Sequence, residues 1–414
     1  MTAREMLPPR QLRRRLPRWA ELRPLLRTKP IDLRRGRRRI ADAATVDDLR
    51  ILARKVTPRA VFDYTDGGAG DEVSLVRARE AFARVEFRPR VLRDVSAVDP
   101  STSVLGKQVS LPAVFAPTGF TRMMHHEGEI AVARAAARAG LPYVLSTMGT
   151  TSLEQVAEHT PTARRWFQLY LWKDRDASVD LVQRALAADY EALVLTVDTP
   201  IAGRRLRDVR NGMTIPPALT LRTFLDGARH PRWWTNFLTR EPLEFASLRS
   251  WNGTVAELAN AMFDPSATLD DVAWLRSQWP RKLVVKGIQS VDDAIAVAGL
   301  GVDALVLSNH GGRQLDKAPI PLEELPGIRA AVGDSVEIYV DGGIRSGADV
   351  VAAVGLGADA VLFGRAYLYG LMAGGELGVQ RVAEILHDEV VQTMQLLGVS
   401  TLKELTGDRV RLRG

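Results

Sequence analysis

A repeat constrains this chain more than any other feature. From Leu111 onward, short apolar runs of β-type alternate with amphipathic helical stretches. The runs are Leu111–Ala116, Tyr143–Ser146, Trp166–Tyr170, Ala192–Val197, Lys282–Lys286, Ala304–Leu307, Glu337–Val340 and Ala360–Phe363. Most are rich in Val, Leu or Ile and lack polar alternation, as strands buried on both faces should. Helical stretches such as Glu127–Ala139, Ser178–Ala188, Asp270–Gln278, Val291–Ala298 and Ala348–Gly355 fall between them. Eight such units predict an α/β fold, a closed parallel (β/α)8 TIM barrel. An open doubly wound sheet is the competing arrangement. It usually has fewer repeats and a glycine fingerprint after its first strand, where this chain has Ala116-Pro117-Thr118-Gly119.

Two pieces stand outside the repeat. Residues 45–85 read as a helical segment ahead of the barrel. Residues 199–268 separate the fourth strand from its helix by far more than an ordinary βα loop. This insertion carries Trp233, Trp234, Phe237, Phe245 and Trp251. A long loop on a barrel's catalytic face suits a lid that buries its own aromatics; a surface dipping into a membrane or facing a quinone is the sharper alternative. The division expected is a basic arm over 1–44, a barrel domain over 45–408 and a tail over 409–414.

Charge is unevenly spread. Residues 1–39 hold fourteen Lys and Arg against three acidic residues, a net +11, so the remainder of a chain of net +7 carries −4. Such an arm can stay solvated or meet an anionic membrane. No aromatic-interleaved binding module follows it, so nucleic acid is not an expected partner. No run approaches the roughly 18 apolar residues of a membrane span, and the start lacks a secretory core. The absence of cysteine excludes disulfides, thiolate nucleophiles and cysteine-held metal centres, and suits a reducing compartment. The location expected is cytoplasmic, with a peripheral position on the inner membrane face as an added reading.

Barrel enzymes carry their chemistry where the strands finish. Here the finishes are polar: Thr118, Ser146-Thr147, Gln168 with Tyr170, Thr196 with Asp198, Lys286, Ser308-Asn309-His310, Asp341-Gly342-Gly343 and Gly364-Arg365. Of six histidines, only His310 falls at a strand end. Its imidazole can take a proton near neutral pH, and Asp198 is the candidate carboxylate to orient it. Arg205 and Arg313 can grip a carboxylate through their planar forks. Lys286 closes a buried strand, so it should meet an anionic ligand group or form an ion pair inside the barrel. The loops around Asp341, Gly343, Arg345, Gly364 and Arg365 suit a phosphate of a nucleotide or of a phosphorylated sugar.

Together, Ser308-Asn309-His310-Gly311-Gly312-Arg313-Gln314-Leu315-Asp316, Leu195-Thr196-Val197-Asp198-Thr199-Pro200, Asp341-Gly342-Gly343-Ile344-Arg345, Phe167-Gln168-Leu169-Tyr170 and Phe62-Asp63-Tyr64 resemble the FMN-dependent α-hydroxy-acid oxidases and dehydrogenases. The resemblance runs from about residue 45 to 408. It implies FMN held by Pro117, Thr118, Gly119, Ser146, Gln168, Thr196, Lys286, Ser308, Asp341, Gly343, Arg345, Gly364 and Arg365, with no metal. It also implies a substrate carboxylate between Arg205 and Arg313, helped by Tyr64. Tyr170 and His310 would then face the hydroxyl carbon, with Asp198 behind the histidine. Electron transfer as a carbanion equivalent or as hydride stays open.

Gly119, where glycolate oxidase has alanine, implies room beside the flavin. Met148, where that enzyme has tryptophan, leaves space for a methyl-bearing substrate. The long insertion without a haem domain is most similar to quinone-linked bacterial L-lactate dehydrogenases. The expectation is L-lactate oxidised to pyruvate, electrons passed to a quinone or other respiratory acceptor, and a homotetramer. The alternatives are an oxygen-using oxidase or monooxygenase, a relative acting on a larger 2-hydroxy acid, and, outside the family, a flavin-free phosphate-binding isomerase or aldolase.

Overall fold

A computed structural model describes residues 18–23, 35–212, 226–240, 243, 246–248 and 262–413. Eight parallel strands close into a barrel: β1 (Ala113–Phe115), β2 (Tyr143–Ser146), β3 (Arg165–Tyr170), β4 (Ala192–Thr196), β5 (Lys282–Ile288), β6 (Ala304–Leu307), β7 (Glu337–Asp341) and β8 (Ala360–Phe363). Closure runs through β8 and β1, where Val361, Leu362 and Phe363 pair with Ala113, Val114 and Phe115. β1, β2, β3, β4, β6 and β8 are buried along their whole length. That burial on both faces is what the unbroken apolar runs encode.

The helices start where side chains can satisfy free backbone N–H groups. Ser152 with Gln155, Thr268 with Asp271 and Ser346 with Asp349 form reciprocal capping boxes at helices 153–159, 269–278 and 347–355. The last helix, Arg365–Leu397, is two pieces joined across non-helical Gly374 and Gly375. Among the described residues, no helix is long and apolar enough to cross a membrane.

The segment ahead of the barrel holds three helices, Val46–Val56, Arg59–Asp66 and Val73–Ala83. Packing begins earlier than the expected boundary at residue 44. Arg35–Ala41 is helical, and Ile40 is buried against Gly374, leaving no room there for a Cβ. The expected tail also has structure: Val410–Leu412 pairs antiparallel with Val85–Phe87. Most of the basic arm, and Phe245 and Trp251 of the insertion, lie outside the described residues.

Asp66 ties the early helices to the barrel. Its carboxylate accepts Arg50 Nε at 2.6 Å and Nη2 at 3.0 Å, Arg207 Nη1 at 3.1 Å and the Tyr369 hydroxyl at 2.8 Å. Burial works to raise its pKa, but Arg50, Tyr369 and Arg207 outweigh it and hold the group at about 2. A depressed carboxylate stabilises the fold above its unfolded value near 3.8 and loses that contribution as pH falls toward 2. Asp66→Asn is expected to cost roughly 2 kcal/mol at neutral pH. In denaturant melts from pH 7 to pH 2, the gap between wild type and variant should shrink below pH 4; a pH-independent gap would contradict this role.

Candidate active site

The barrel register sets a polar ledge at the C-terminal ends of the strands. Ser146 of β2 pairs with Gln168 of β3, Tyr170 with Thr196 of β4, and Thr196 with Lys286 of β5. Ser146 Oγ donates to Gln168 Oε1 at 3.1 Å, and the Thr147 N–H donates to the same oxygen at 3.2 Å. These two donors fix which end of the amide is oxygen. Among the described residues, the buried Gln168 Nε2 and Thr196 Oγ1 have no hydrogen-bond partner. Both residues line the cleft at the barrel mouth. Buried polar atoms without partners are rare and costly, so this ledge is built for a ligand with its own donors and acceptors.

The nine residues from Ser308 to Asp316 knit the mouth together. Ser308 Oγ accepts from Lys286 Nζ at 2.8 Å and donates to Asp341 Oδ2 at 2.9 Å. Asn309 bonds to Pro319 O and to the Gly312 N–H, closing its own turn. Gln314 Oε1 accepts from the Gly203 N–H at 2.9 Å, and its Nε2 donates to the carbonyls of Ile201 at 2.8 Å and Asp198 at 3.2 Å. Asp316 accepts the N–H groups of Asp71 and Ser74 at the start of helix 73–83. His310 and Gly311 sit at φ +58° and +62°. A Cβ at Gly311 would lie 2.7 Å from Arg365 Nη1, so a side chain there would have to push that guanidinium aside. For the histidine, the left-handed backbone costs about 1–2 kcal/mol, which the surrounding bonds must outweigh.

That backbone aims His310 at Asp198. His310 Nδ1 lies 2.9 Å from Asp198 Oδ1, and the aspartate side chain is 1% exposed. An ionised carboxylate only accepts, so the imidazole proton belongs on Nδ1 and the lone pair on Nε2. Gly287, at φ +116°, makes the room: a Cβ there would meet Asp198 at 2.8 Å. Two guanidinium groups share one aromatic ring beside this pair. Arg205 Cζ lies 5.6 Å and Arg313 Cζ 4.8 Å from the centre of Tyr64. Arg205 Nε is held by Asp208 at 2.8 Å. Arg313 is pushed below the ordinary guanidinium value by burial and then by the Arg205 charge. Burial, with Asp198 adding to it, pushes the Tyr170 phenol well up, so it stays a neutral donor. The site therefore offers cationic forks, a hydroxyl and an unprotonated ring nitrogen around one space.

The other side of the cleft is lined by Gly343, Arg345, Gly364 and Arg365. Gly364 caps the helix that Arg365 begins, which points free backbone N–H groups and the positive end of its dipole at the cleft. Arg365 itself is more occupied than the sequence reading assumed. Its Nε, Nη1 and Nη2 donate to the carbonyls of Thr65, Gly311 and Gly67, each at 2.8 Å. It strings the early helices to the histidine loop, and burial with Arg313 and Arg345 nearby pushes it down to about 10.

Each residue expected at the site lines this cleft except Asp198 and Ser308, which stand one layer behind it. Lys286 is paired: its Nζ lies 2.8 Å from Asp341 Oδ2, the ion-pair reading, while its side chain still borders the cleft. Asp341, expected at a phosphate, is this lysine's partner; burial works to raise it, but Lys286 and Ser308 keep it below its usual range. Gly119 borders the cleft beside Met148, whose Cβ would lie 2.9 Å from an added methyl. Residues the sequence reading missed include Ala202, Met262 and Phe263. They belong to the insertion, where no strand end or periodicity marks them.

Residues 53–412 match the model of the FMN-dependent dehydrogenases. The chain belongs to that family. It is 58% identical over 393 residues to the "Putative L-lactate dehydrogenase" of Mycobacterium tuberculosis (strain ATCC 25618 / H37Rv), covering 95% of each chain. It is 42% identical to the L-lactate dehydrogenase of Caulobacter vibrioides (strain NA1000 / CB15N), covering 86% of this chain and 94% of that one. Among solved structures, the monotopic membrane protein (S)-mandelate dehydrogenase superposes with a TM-score of 0.86 at 38% identity, over 90% of this chain and 100% of the other. The cofactor is therefore FMN, and the unpartnered ledge of Gln168 and Thr196 fits a flavin's polar edge. A flavin-free isomerase or aldolase is set aside. Lys286→Met should leave Asp341 buried and unpaired, costing about 3–5 kcal/mol in denaturant melts at saturating FMN. Adding Asp341→Asn should recover much of that loss; a single variant as stable as wild type would refute the pairing.

Proposed function

We propose that this flavoenzyme oxidises L-lactate to pyruvate and passes the electrons to a quinone or other respiratory acceptor. The observation that carries the reading is the His310–Asp198 pair beside two guanidiniums that share the Tyr64 ring. Arg205 and Arg313 hold the substrate carboxylate, with Tyr64 beneath them. Tyr170 donates to the substrate oxygen. His310 Nε2 takes a proton at carbon 2 or its hydroxyl, and Asp198 stabilises the imidazolium that results. FMN, when bound, supplies the two-electron oxidation; Gln168, Thr196, Ser146 and Lys286 hold its ring system, and Gly343, Gly364, Arg345 and Arg365 surround its phosphate.

L-lactate is supported by the names of relatives that align over almost their whole length. An L-lactate oxidase of Nostoc sp. (strain PCC 7120 / SAG 25.82 / UTEX 2576), 44% identical, supports an oxygen-using second reading. Membrane contact is supported by the monotopic relative and by helix Pro231–Leu238, which carries Trp233, Trp234 and Phe237 packed on one another and leaves Leu238 69% exposed. The oligomer we propose is a homotetramer, which light scattering checks directly.

Anaerobic L-lactate should bleach the yellow holoenzyme and D-lactate should not; slow reoxidation in air would separate dehydrogenase from oxidase. His310→Gln should keep FMN while slowing bleaching by about 10²–10⁴-fold, the usual worth of a general base. Bleaching at the wild-type rate would remove His310 from this role. Deleting residues 1–34, which stops short of the docked helix at 35–41, should lower cosedimentation with anionic vesicles and spare activity with soluble dyes. Unchanged sedimentation would end the idea of a basic tether.

A further inference from the structure

Carbon 2 of a 2-hydroxy acid bears four groups, and the reading above as a 2-hydroxy-acid dehydrogenase, on which this inference rests, assigns three of them. The carboxylate goes to Arg205 and Arg313, the hydroxyl to His310 and Tyr170, and the hydrogen leaves in the reaction. The fourth group, the side chain, must face what remains of the cleft lining on that side. The apolar side chains there are Met148, Ala202, Met262 and Phe263, with Thr199 and Gln314 as polar neighbours in the lining. Ala202 is small, Met148 is an adaptable chain folded against Gly119, and Met262 is fully buried. Phe263 is the large rigid surface among them.

We infer that Phe263 sets the size of the substrate side chain, acting as a wall that admits a small alkyl group and turns away an aryl one. Its ring meets Tyr170 edge to face, with centroids 5.2 Å apart and planes at 85°. The wall is fixed by the next residue. Asp264 takes an ion pair from Arg175 at 2.8 Å and caps its own turn through the Ser266 N–H and hydroxyl. Arg175 in turn holds Asp271 at the start of helix 269–278, so the segment is braced from two elements. An aromatic substituent on the substrate would need the space of the Phe263 ring and could replace it against Tyr170.

The test compares anaerobic flavin reduction by L-lactate and (S)-mandelate in wild-type, Phe263→Leu and Phe263→Ala holoenzymes. Removing a ring from a hydrophobic pocket changes discrimination by about tenfold or more. The mandelate-to-lactate ratio of reduction efficiencies is therefore expected to rise at least that far in Phe263→Ala. Phe263→Leu should fall between, and it carries the test if the alanine variant loses FMN. Ratios within twofold of wild type in variants that keep FMN and the wild-type melting temperature would overturn this inference alone. A wild-type enzyme reduced by neither acid would instead overturn the functional reading beneath it.

Discussion

Burying positive charge is the constraint around which the barrel mouth is organised. Arg205, Arg313, Arg345 and Arg365 all line one cleft, and Lys286 lies beneath it. Only part of this charge has a carboxylate close by: Asp208 holds Arg205 and Asp341 holds Lys286. Arg313 and Arg365 rest largely on backbone carbonyls of residues 64, 65, 67 and 311, and burial pushes both below the ordinary value, helped by Arg205 at the first and by Arg313 and Arg345 at the second. On the function proposed here, two anions would relieve this arrangement: a phosphate toward the β7 and β8 loops, and a carboxylate toward Tyr64.

The same carbonyls explain why the segment ahead of the barrel belongs to the site. Residues 64–67 end helix 59–66, and their oxygens hold Arg313 and Arg365 in place. Asp66 locks that helix end to Arg50, Arg207 and Tyr369. A disturbance at Asp66 therefore reaches the guanidinium forks through one turn of backbone. Gln314 does the equivalent on the other side, fastening the loop of Asp198 and Arg205 to the loop of His310 and Arg313.

The strands were legible because burial on both faces leaves one mark, an unbroken apolar run that ends at the first polar residue. The eight runs match β1–β8 to within a residue or two, and the polar finishes identified the cleft. His310 stood out by position and Asp198 by sharing a strand end with Thr196. Pairing was harder to read. A strand-end lysine looks the same in sequence whether it meets a ligand or Asp341, because the two lie 55 residues apart and meet only when β5 and β7 line up on either side of β6. The bracing role of Arg365 was invisible because its partners are backbone carbonyls, which no side-chain pattern records. Met262 and Phe263 were silent for a third reason: their place in the cleft depends on how an irregular insertion folds back. The contact of Gly119 with Met148, 29 positions on, was equally silent, since it depends on how the β1 and β2 loops meet.

The convergence of Arg205, Arg313 and His310 on one small anion is the central claim, and oxalate tests it without turnover. Titrating the holoenzyme with oxalate should perturb the visible spectrum of the bound flavin and saturate. Arg205→Met and Arg313→Met should each weaken that binding by about 100-fold, as loss of a charge-assisted contact does, while His310→Gln changes it far less. Oxalate affinities within twofold of wild type in both arginine variants, with FMN still bound, would contradict the account.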